Sequence, residues 1–450
     1  MSKVIKIKKG LDINLKGKAE KILTTADRSD SYAVKPTDFT GITPKLLVKP
    51  DHKVNAGSPL FFDKNNPDVL FTSPVSGVVT SINRGERRRI LEIVIKADKK
   101  TSYENFKKAE PADLSREEIT ENLIKSGLWP CILQRPYSVI ANPKDEPKAI
   151  FISCFDTAPL APDYDFILNG EEENFQRGID ALRKLTKGKV HLNVNARFAI
   201  APVFKNTKGI VINSFDGPHP AGNVGIQIHH IDPINKGDLV WVVNPQDVML
   251  IGRLFEKGIL DTSKIISITG SEVLKPRYLR TQMGVGLDPL LAGNTKEGNH
   301  RYISGNVLTG TGIDKKNYLG FYHSQITIIP EGDFYEMFGW ALPGLKKFSF
   351  SKTFLSWLTP NKTYNVNTNF HGGKRAFVVT GEYEKVLPMD ILPVFLLKAI
   401  MVEDIDKMEQ LGIYEVAEED LALCEFICTS KTEVQEILRK GLNFIKKEMS

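Results

Sequence analysis

No segment of this 450-residue chain reaches the roughly 20 consecutive apolar residues that a membrane-spanning helix needs. The most apolar stretch, Ile391 to Leu397, is bounded by Asp390 and Lys398 and contains Pro393. The N-terminal MSKVIKIKKG is basic but has no apolar centre of the kind a signal peptide carries. Cysteine is scarce: Cys131, Cys154, Cys424 and Cys428 are too few and too scattered for a disulfide framework. These absences predict a chain of the reducing cytoplasm. Charge of one sign is also lacking. A net charge of +6 is mild for this length and makes no basic stripe for a nucleic acid. The nearest approach, Arg87-Arg88-Arg89, reads as the solvated end of a hairpin. Neither G-x-G-x-x-G nor G-x-x-x-x-G-K-S/T occurs, which removes the dinucleotide fingerprint and the P-loop. Gly284-Val-Gly286 lacks the third glycine and reads as a turn. No internal repeat or low-complexity tract is present.

What is there is ordinary globular material, 41% hydrophobic and 25% charged. The length predicts roughly three domains at about 100–200 residues each. Val4 to Ile7 alternate as an edge strand. Gly57-Ser-Pro-Leu60, Ser73 to Val79 and Ile90 to Ile95 then give short strands separated by glycine and proline, the pattern of a small β-sandwich or barrel. VNAGSPLF followed by SPVSGVVTSI resembles the barrel-sandwich hybrid of biotinyl and lipoyl domains. Those carriers bear a modified lysine at a hairpin tip. Lys64 sits near that place, but without the usual small or methionine neighbours, so it reads as a plain surface lysine.

Further on, Ser115 and Glu118 form a capping box that starts a helix to Ser126. Strands at Ala149–Cys154, Val190–Val194, Ile210–Asn213, Asp238–Val243 and Lys264–Thr269 alternate with helices near Glu172–Leu185 and Pro245–Gly258. That alternation predicts an α/β sheet with crossover connections. From Gly270 to about Pro330 short strands and glycine turns predict a small α+β domain. Phe334 to Phe370 is aromatic and loop-like, with Phe348, Phe350, Phe354 and Trp357. The last part is helical: Leu392 to Val402 is nearly all apolar and predicted buried, and Val434, Ile437, Leu438, Leu442 and Ile445 form an amphipathic stripe.

The densest word is Phe215 to Pro233, FDGPHPAGNVGIQIHHIDP, with three glycines, three prolines and three of the eight histidines. It predicts a tightly constrained loop where a ligand or partner is held, followed by a strand through Ile226 and Ile228. His229 and His230, adjacent on a strand, would face opposite ways and not share a metal. His219, between two prolines, has a held backbone and a free ring; it either donates to a ligand or caps the loop. Gly222, Asn223 and Gly225 allow close approach of a ligand to backbone N–H groups. Cys424 and Cys428, four apart and sharing a helical face with Leu421, read as buried apolar cysteines and not as an iron–sulfur site. Local spacing assembles no catalytic Ser-His-Asp or Cys-His set.

Three words together carry a resemblance: Lys9-Gly-Leu-Asp-Ile-Asn-Leu-Lys-Gly17, the PHPAG loop, and Gly381 to Pro393 with its LPMDILP, continued by Glu418 to Cys428. In order and content they resemble the NqrA family of the Na+-translocating NADH:quinone reductases, which is similar to RnfC and to the flavin-binding subunit of complex I. The resemblance implies a multidomain α/β plus β fold. Its parts are a barrel-sandwich hybrid domain (1–100), a Rossmann-like α/β domain (101–269), a β-grasp-like α+β domain with an aromatic extension (270–374) and a C-terminal helical domain (375–450). It implies a peripheral subunit on the cytoplasmic side of the cell membrane, docked to the other subunits of the complex. There it would support electron transfer from NADH to quinone coupled to Na+ export. NADH, flavins and the 2Fe–2S centre would belong to partner subunits, and the isolated chain would hold no tight cofactor and not be catalytic. A quinone contact is the ligand it implies, with His219, Gly222, Asn223 and Gly225 as the loop that would make it. Cys424 and Cys428 would be the remnant of the cluster motifs of RnfC-like relatives. The alternatives are a non-catalytic scaffold that docks its neighbours, or an RnfC-like electron-transfer subunit that has lost its clusters.

Overall fold

The computed structural model describes residues 4–339, 341–359 and 362–449. Near the N-terminus a four-stranded antiparallel sheet (Ser31–Val34, Ile90–Ala97, Gly77–Arg84, Lys53–Val54) and a three-stranded one (Pro44–Leu46, Pro59–Asp63, Asn66–Thr72) share a core. Leu60, Phe61, Phe71, Val79, Ile93 and Ile95 are buried in it, and the Phe61 and Phe71 rings stack at 4.4 Å. Lys64 is exposed at the tip of the hairpin joining Pro59–Asp63 to Asn66–Thr72. Asp63 Oδ1 sets that turn by accepting from the Thr43 and Asn65 N–H groups.

A seven-stranded sheet follows, ordered Val4–Lys6, Val211–Asp216, Lys189–Asn195, Ala149–Ser153, Val240–Val243, Ile132–Arg135, Val139–Ile140. The first five are parallel; the last two form an antiparallel ribbon on the far edge. The inner strands read as unbroken apolar runs because both faces are covered: Ile150, Phe151 and Ile152 are all buried. The crossover helix Glu172–Lys184 packs against Pro245–Lys257 at very close range. A Cβ on Gly252 would fall 1.7 Å from the Asn174 carbonyl oxygen, and one on Gly178 would fall 2.0 Å from that of Val248. The helix Arg116–Ser126 begins at the expected box, Ser115 accepting from the Glu118 N–H and Glu118 from that of Ser115.

Three expectations need correcting. First, the segment after the PHPAG loop is a helix, Val224–Ile231, not a strand. Five successive residues, Val224 to Ile228, are buried, so no 3.6-residue period survives in the sequence to distinguish helix from strand. Second, the strand Ser263–Thr269 does not continue the parallel sheet. It lies in a six-stranded sheet ordered Thr311–Ile313, His300–Ser304, Gln325–Pro330, Ser263–Thr269, Arg277–Gln282, Glu20–Thr25. Strand–helix alternation cannot show which sheet a returning strand joins. Third, the helix Pro393–Met401 is not covered all round: six of its nine residues are buried. Val394, Leu396, Leu397 and Ile400 are buried, while Leu392, Phe395, Met401 and Val402 are exposed.

The C-terminal helices Glu418–Ile427 and Val434–Glu448 bury Leu421, Cys424, Val434, Leu438, Leu442 and Ile445. They share one core with Phe151, Phe215 and Ile226 of the seven-stranded sheet region. The last 70 or so residues are therefore a wall of the α/β unit, not an appendage. Burial and the Glu384 charge raise the Cys424 thiol above its usual range, and Cys428 is buried as well.

Candidate functional site: a cavity at the carboxyl edge of the parallel sheet

Strand order fixes where a ligand fits. From Ala149–Ser153 the chain moves outward through Lys189–Asn195 and Val211–Asp216, then returns to the opposite side of Ala149–Ser153 as Val240–Val243. Both neighbouring strands end on the same side of the sheet, and space is left beyond their carboxyl ends. A cavity of about 240 Å³ occupies that place. Ser153, Phe155 and Asp156 line it from one strand end, and Val243, Asn244 and Pro245 from the other. The PHPAG loop contributes His219, Gly222 and Asn223. Arg135 enters from the antiparallel ribbon and Glu419 from the C-terminal helix.

His219 is held on every side. Its N–H donates to Asp12 Oδ1 at 2.8 Å, and its carbonyl accepts from the Leu11 N–H at 2.8 Å. Gly10 passes so close that a Cβ there would lie 2.1 Å from the His219 carbonyl oxygen, and Gly10 has φ of +141°. The Thr157 hydroxyl accepts from the Gly222 N–H at 2.9 Å and lies 3.1 Å from His219 Nδ1. Donation from this hydroxyl to Nδ1 satisfies all three groups and leaves the ring proton on Nε2. Burial lowers the His219 pKa to about 4, so the ring is neutral at pH 7. A neutral imidazole carrying its proton on Nε2 is a single, oriented donor.

The other loop residues divide. Gly222 must be glycine, since a Cβ would fall 2.6 Å from the Thr157 nitrogen. Asn223 donates through Nδ2 to the Glu419 carbonyl at 2.9 Å, tying the loop to the C-terminal helix. Gly225 is not among the lining residues; a Cβ on it would fall 2.3 Å from both Arg135 Nη1 and Asp420 Oδ2. Its close approach is thus to a buried ion pair, with Arg135 Nη1 donating to Asp420 Oδ2 at 2.7 Å. Arg135 also donates to Glu419, and Asp420 accepts from the Ala417 N–H, which starts the C-terminal helix. His229 and His230 lie away from the cavity. His229 accepts from the Asp390 N–H at Nε2 and contacts Glu415 at Nδ1, while His230 Nδ1 donates to the Ile226 carbonyl. Among the described residues no group of three or more His, Cys, Asp or Glu side chains is placed to hold a metal ion.

Electrostatically the cavity disfavours anions. Arg135 is already engaged by Glu419 and Asp420, and Asp156 and Asp247 also line the wall, Asp247 beside Lys264 at 3.1 Å. Burial raises the Asp156 carboxyl, and it raises that of Glu419 against the pull of Arg135. Leu133, Phe155, Val242 and Leu308 supply apolar wall. Arg135, Asp156, Thr157 and Glu419 were not expected at the site, since they come from three separate stretches of chain. Asp12, inside the KGLDINLKG word, and Glu419, inside the Glu418–Cys428 word, carried a signal as parts of distinctive motifs.

Comparison with known proteins now decides the family. Residues 5–98 match the NqrA N-terminal barrel-sandwich hybrid domain, residues 114–260 the NqrA second alpha/beta domain, and residues 265–315 the NQRA C-terminal domain. The NqrA protein of the Na(+)-translocating NADH-quinone reductase of Yersinia pestis bv. Antiqua (strain Angola) is 42% identical over 448 residues, 99% of this chain and 100% of that protein. The chain belongs to the NqrA family. The same-named protein of Neisseria meningitidis serogroup A is also 42% identical over 448 residues, and that of Photorhabdus laumondii 41%, each with the same coverage. This settles the barrel-sandwich and α/β parts of the expected fold. A NAD+-reducing NiFe hydrogenase in its H2-reduced state overlaps 75% of this chain and 60% of its own, at TM-score 0.37 and 12% identity, too slight a likeness to carry an argument.

Proposed function

We propose that this chain is a peripheral subunit of a Na+-translocating NADH:quinone reductase, on the cytoplasmic side of the cell membrane, and that its carboxyl-edge cavity takes a quinone headgroup. The subunit role follows from full-length relatedness to proteins of that name. In this reading NADH, flavins and the 2Fe–2S centre lie in partner subunits, and this chain holds no redox centre of its own. The seven-stranded sheet is read as Rossmann-like and the six-stranded sheet as β-grasp-like.

The observation that carries the quinone reading is the neutral His219 ring beside an apolar wall. A quinone is flat and apolar on its faces, with carbonyl oxygens that accept hydrogen bonds. Such a ligand suits a site with apolar walls for the ring faces and one or two placed donors. His219 Nε2–H is the donor, and Phe155, Val242 and Leu308 are the walls. The acidic lining argues against a phosphate or carboxylate ligand. Calorimetric titration of the full chain with a short-chain ubiquinone tests this. His219→Ala should bind roughly tenfold more weakly, the loss of one buried hydrogen bond. Unchanged affinity removes His219 from the site, and no heat with the unaltered chain removes the quinone.

A scaffold reading is favoured by one separate observation: Leu392, Phe395, Met401 and Val402 are exposed on and beside one helix. Truncation near residue 375 cannot test it, because the C-terminal helices complete the core against Phe151 and Phe215. Phe395→Ala with Met401→Ala can: co-purification with the other subunits should drop while quinone affinity stays unchanged.

A further inference from the structure

Among the described residues of the segment 334–362, many large apolar side chains stand exposed. Tyr335, Met337, Phe338, Leu342, Leu345, Leu355, Trp357 and Leu358 are all exposed, Tyr335 and Met337 at 104% and 81%. They belong to one knot. The Leu355 N–H donates to the Pro343 carbonyl at 2.9 Å, Lys347 bridges Glu336 and the Gly339 carbonyl, and Lys362 donates to the Leu345 carbonyl. The base of the knot is anchored. Phe348 packs on Tyr364 and Phe426, and the Tyr364 N–H donates to the Asn14 carbonyl at 2.7 Å. So many exposed large apolar side chains on one self-bonded segment mark a docking surface.

Its charge identifies the occupant. Between 334 and 362 there are four lysines, Lys346, Lys347, Lys352 and Lys362, against one acid, Glu336, and no arginine. Lys347 lies over the Phe354 ring and Lys352 over the Trp357 ring, so cation and aromatic surface are presented together. The core of a protein–protein interface is depleted in lysine and enriched in arginine. Lysine interleaved with tryptophan, tyrosine and phenylalanine is instead the composition that settles at the headgroup level of a membrane. Anionic lipid attracts such lysines over a Debye length.

We propose that the 334–362 knot inserts its aromatic and aliphatic side chains into the headgroup region of an anionic lipid bilayer, with Lys346 and Lys352 against lipid phosphates. This is independent of the quinone reading, since the knot contributes no residue to the cavity lining. The test is flotation of the full chain with phosphatidylcholine vesicles, with and without phosphatidylglycerol. The chain should float only with the anionic vesicles and be released by high salt. The pair Trp357→Ala with Leu358→Ala and the pair Lys346→Glu with Lys352→Glu should each lower the bound fraction about tenfold. Melting temperatures of both pairs should stay at the unaltered value, because the four side chains are on the surface. A chain that never floats, or variants that float equally well, overturns the proposal. So does the outcome in which both pairs leave flotation unchanged but lose the other reductase subunits, which would make the knot a protein contact.

Discussion

The PHPAG loop, dense in glycine and proline, and the 334–362 knot, dense in aromatic side chains, are both largely irregular backbone, yet they have opposite fates. At His219 the backbone N–H, the carbonyl and the ring each meet an internal partner, and glycines 10 and 222 let neighbouring backbone close in. In the knot local backbone bonds and the Lys347 and Lys362 side chains tie the segment to itself, and eight large apolar side chains face outward. What separates them is whether polar groups find partners inside the chain, and irregular backbone can be buried only when they do.

The comparison breaks most sharply at the buried ion pair behind the loop. Asp420→Ala leaves Arg135 charged and buried beside Glu419 alone, and should cost about 3–5 kcal/mol in denaturant unfolding. Gly225→Ala drives a methyl into the same pair and should unfold the chain at a comparably lower denaturant concentration. If either proves neutral, the loop is not held as described.

Acid provides the next test. Burial depresses both His219 and His323 to about 4 from an ordinary value near 6.5. His323 sits in a matching arrangement, with Ser304 Oγ 2.8 Å from its Nδ1 and accepting from the Gly320 N–H. A group whose folded pKa is depressed binds its proton first in the unfolded chain. Stability is therefore full above pH 6.5 and falls as pH drops toward 4, by about 3 kcal/mol for each histidine. His219→Gln should remove roughly half of that slope, whereas the Trp357 and Leu358 substitutions should leave it intact.

The smallest effects belong to the exposed regions. Trp357→Ala with Leu358→Ala should change unfolding free energy by no more than about 0.5 kcal/mol, while changing lipid partition greatly. Lys64→Ala at the hairpin tip should alter nothing measurable in stability, and the intact mass of the chain should show Lys64 unmodified.

Much of this was legible in the sequence. The Ser115 and Glu118 box, the Phe175–Ile179–Leu182 helix face and the Ala149–Ser153 strand each carry a local signal that the packing agrees with. The helix Val224–Ile231 did not, because burial on nearly all sides erases periodicity. The sheet membership of Ser263–Thr269 did not either, since pairing partners are set by tertiary contacts. At the site, His219, Gly222 and Asn223 were readable as a constrained loop and do line the cavity. Arg135, Thr157 and Glu419 were not, because they join His219 only when the sheet, the loop and the C-terminal helix come together.

The central claim is that His219 points a neutral Nε2–H donor into the carboxyl-edge cavity. Nitrogen-15 NMR of the histidine-labelled full chain reads this directly, with His219→Gln to assign the signal. The account predicts a neutral ring protonated on Nε2 at pH 7, whose Nε2 resonance moves on adding a short-chain ubiquinone. A ring protonated on Nδ1, or an Nε2 signal that quinone does not shift, would contradict it.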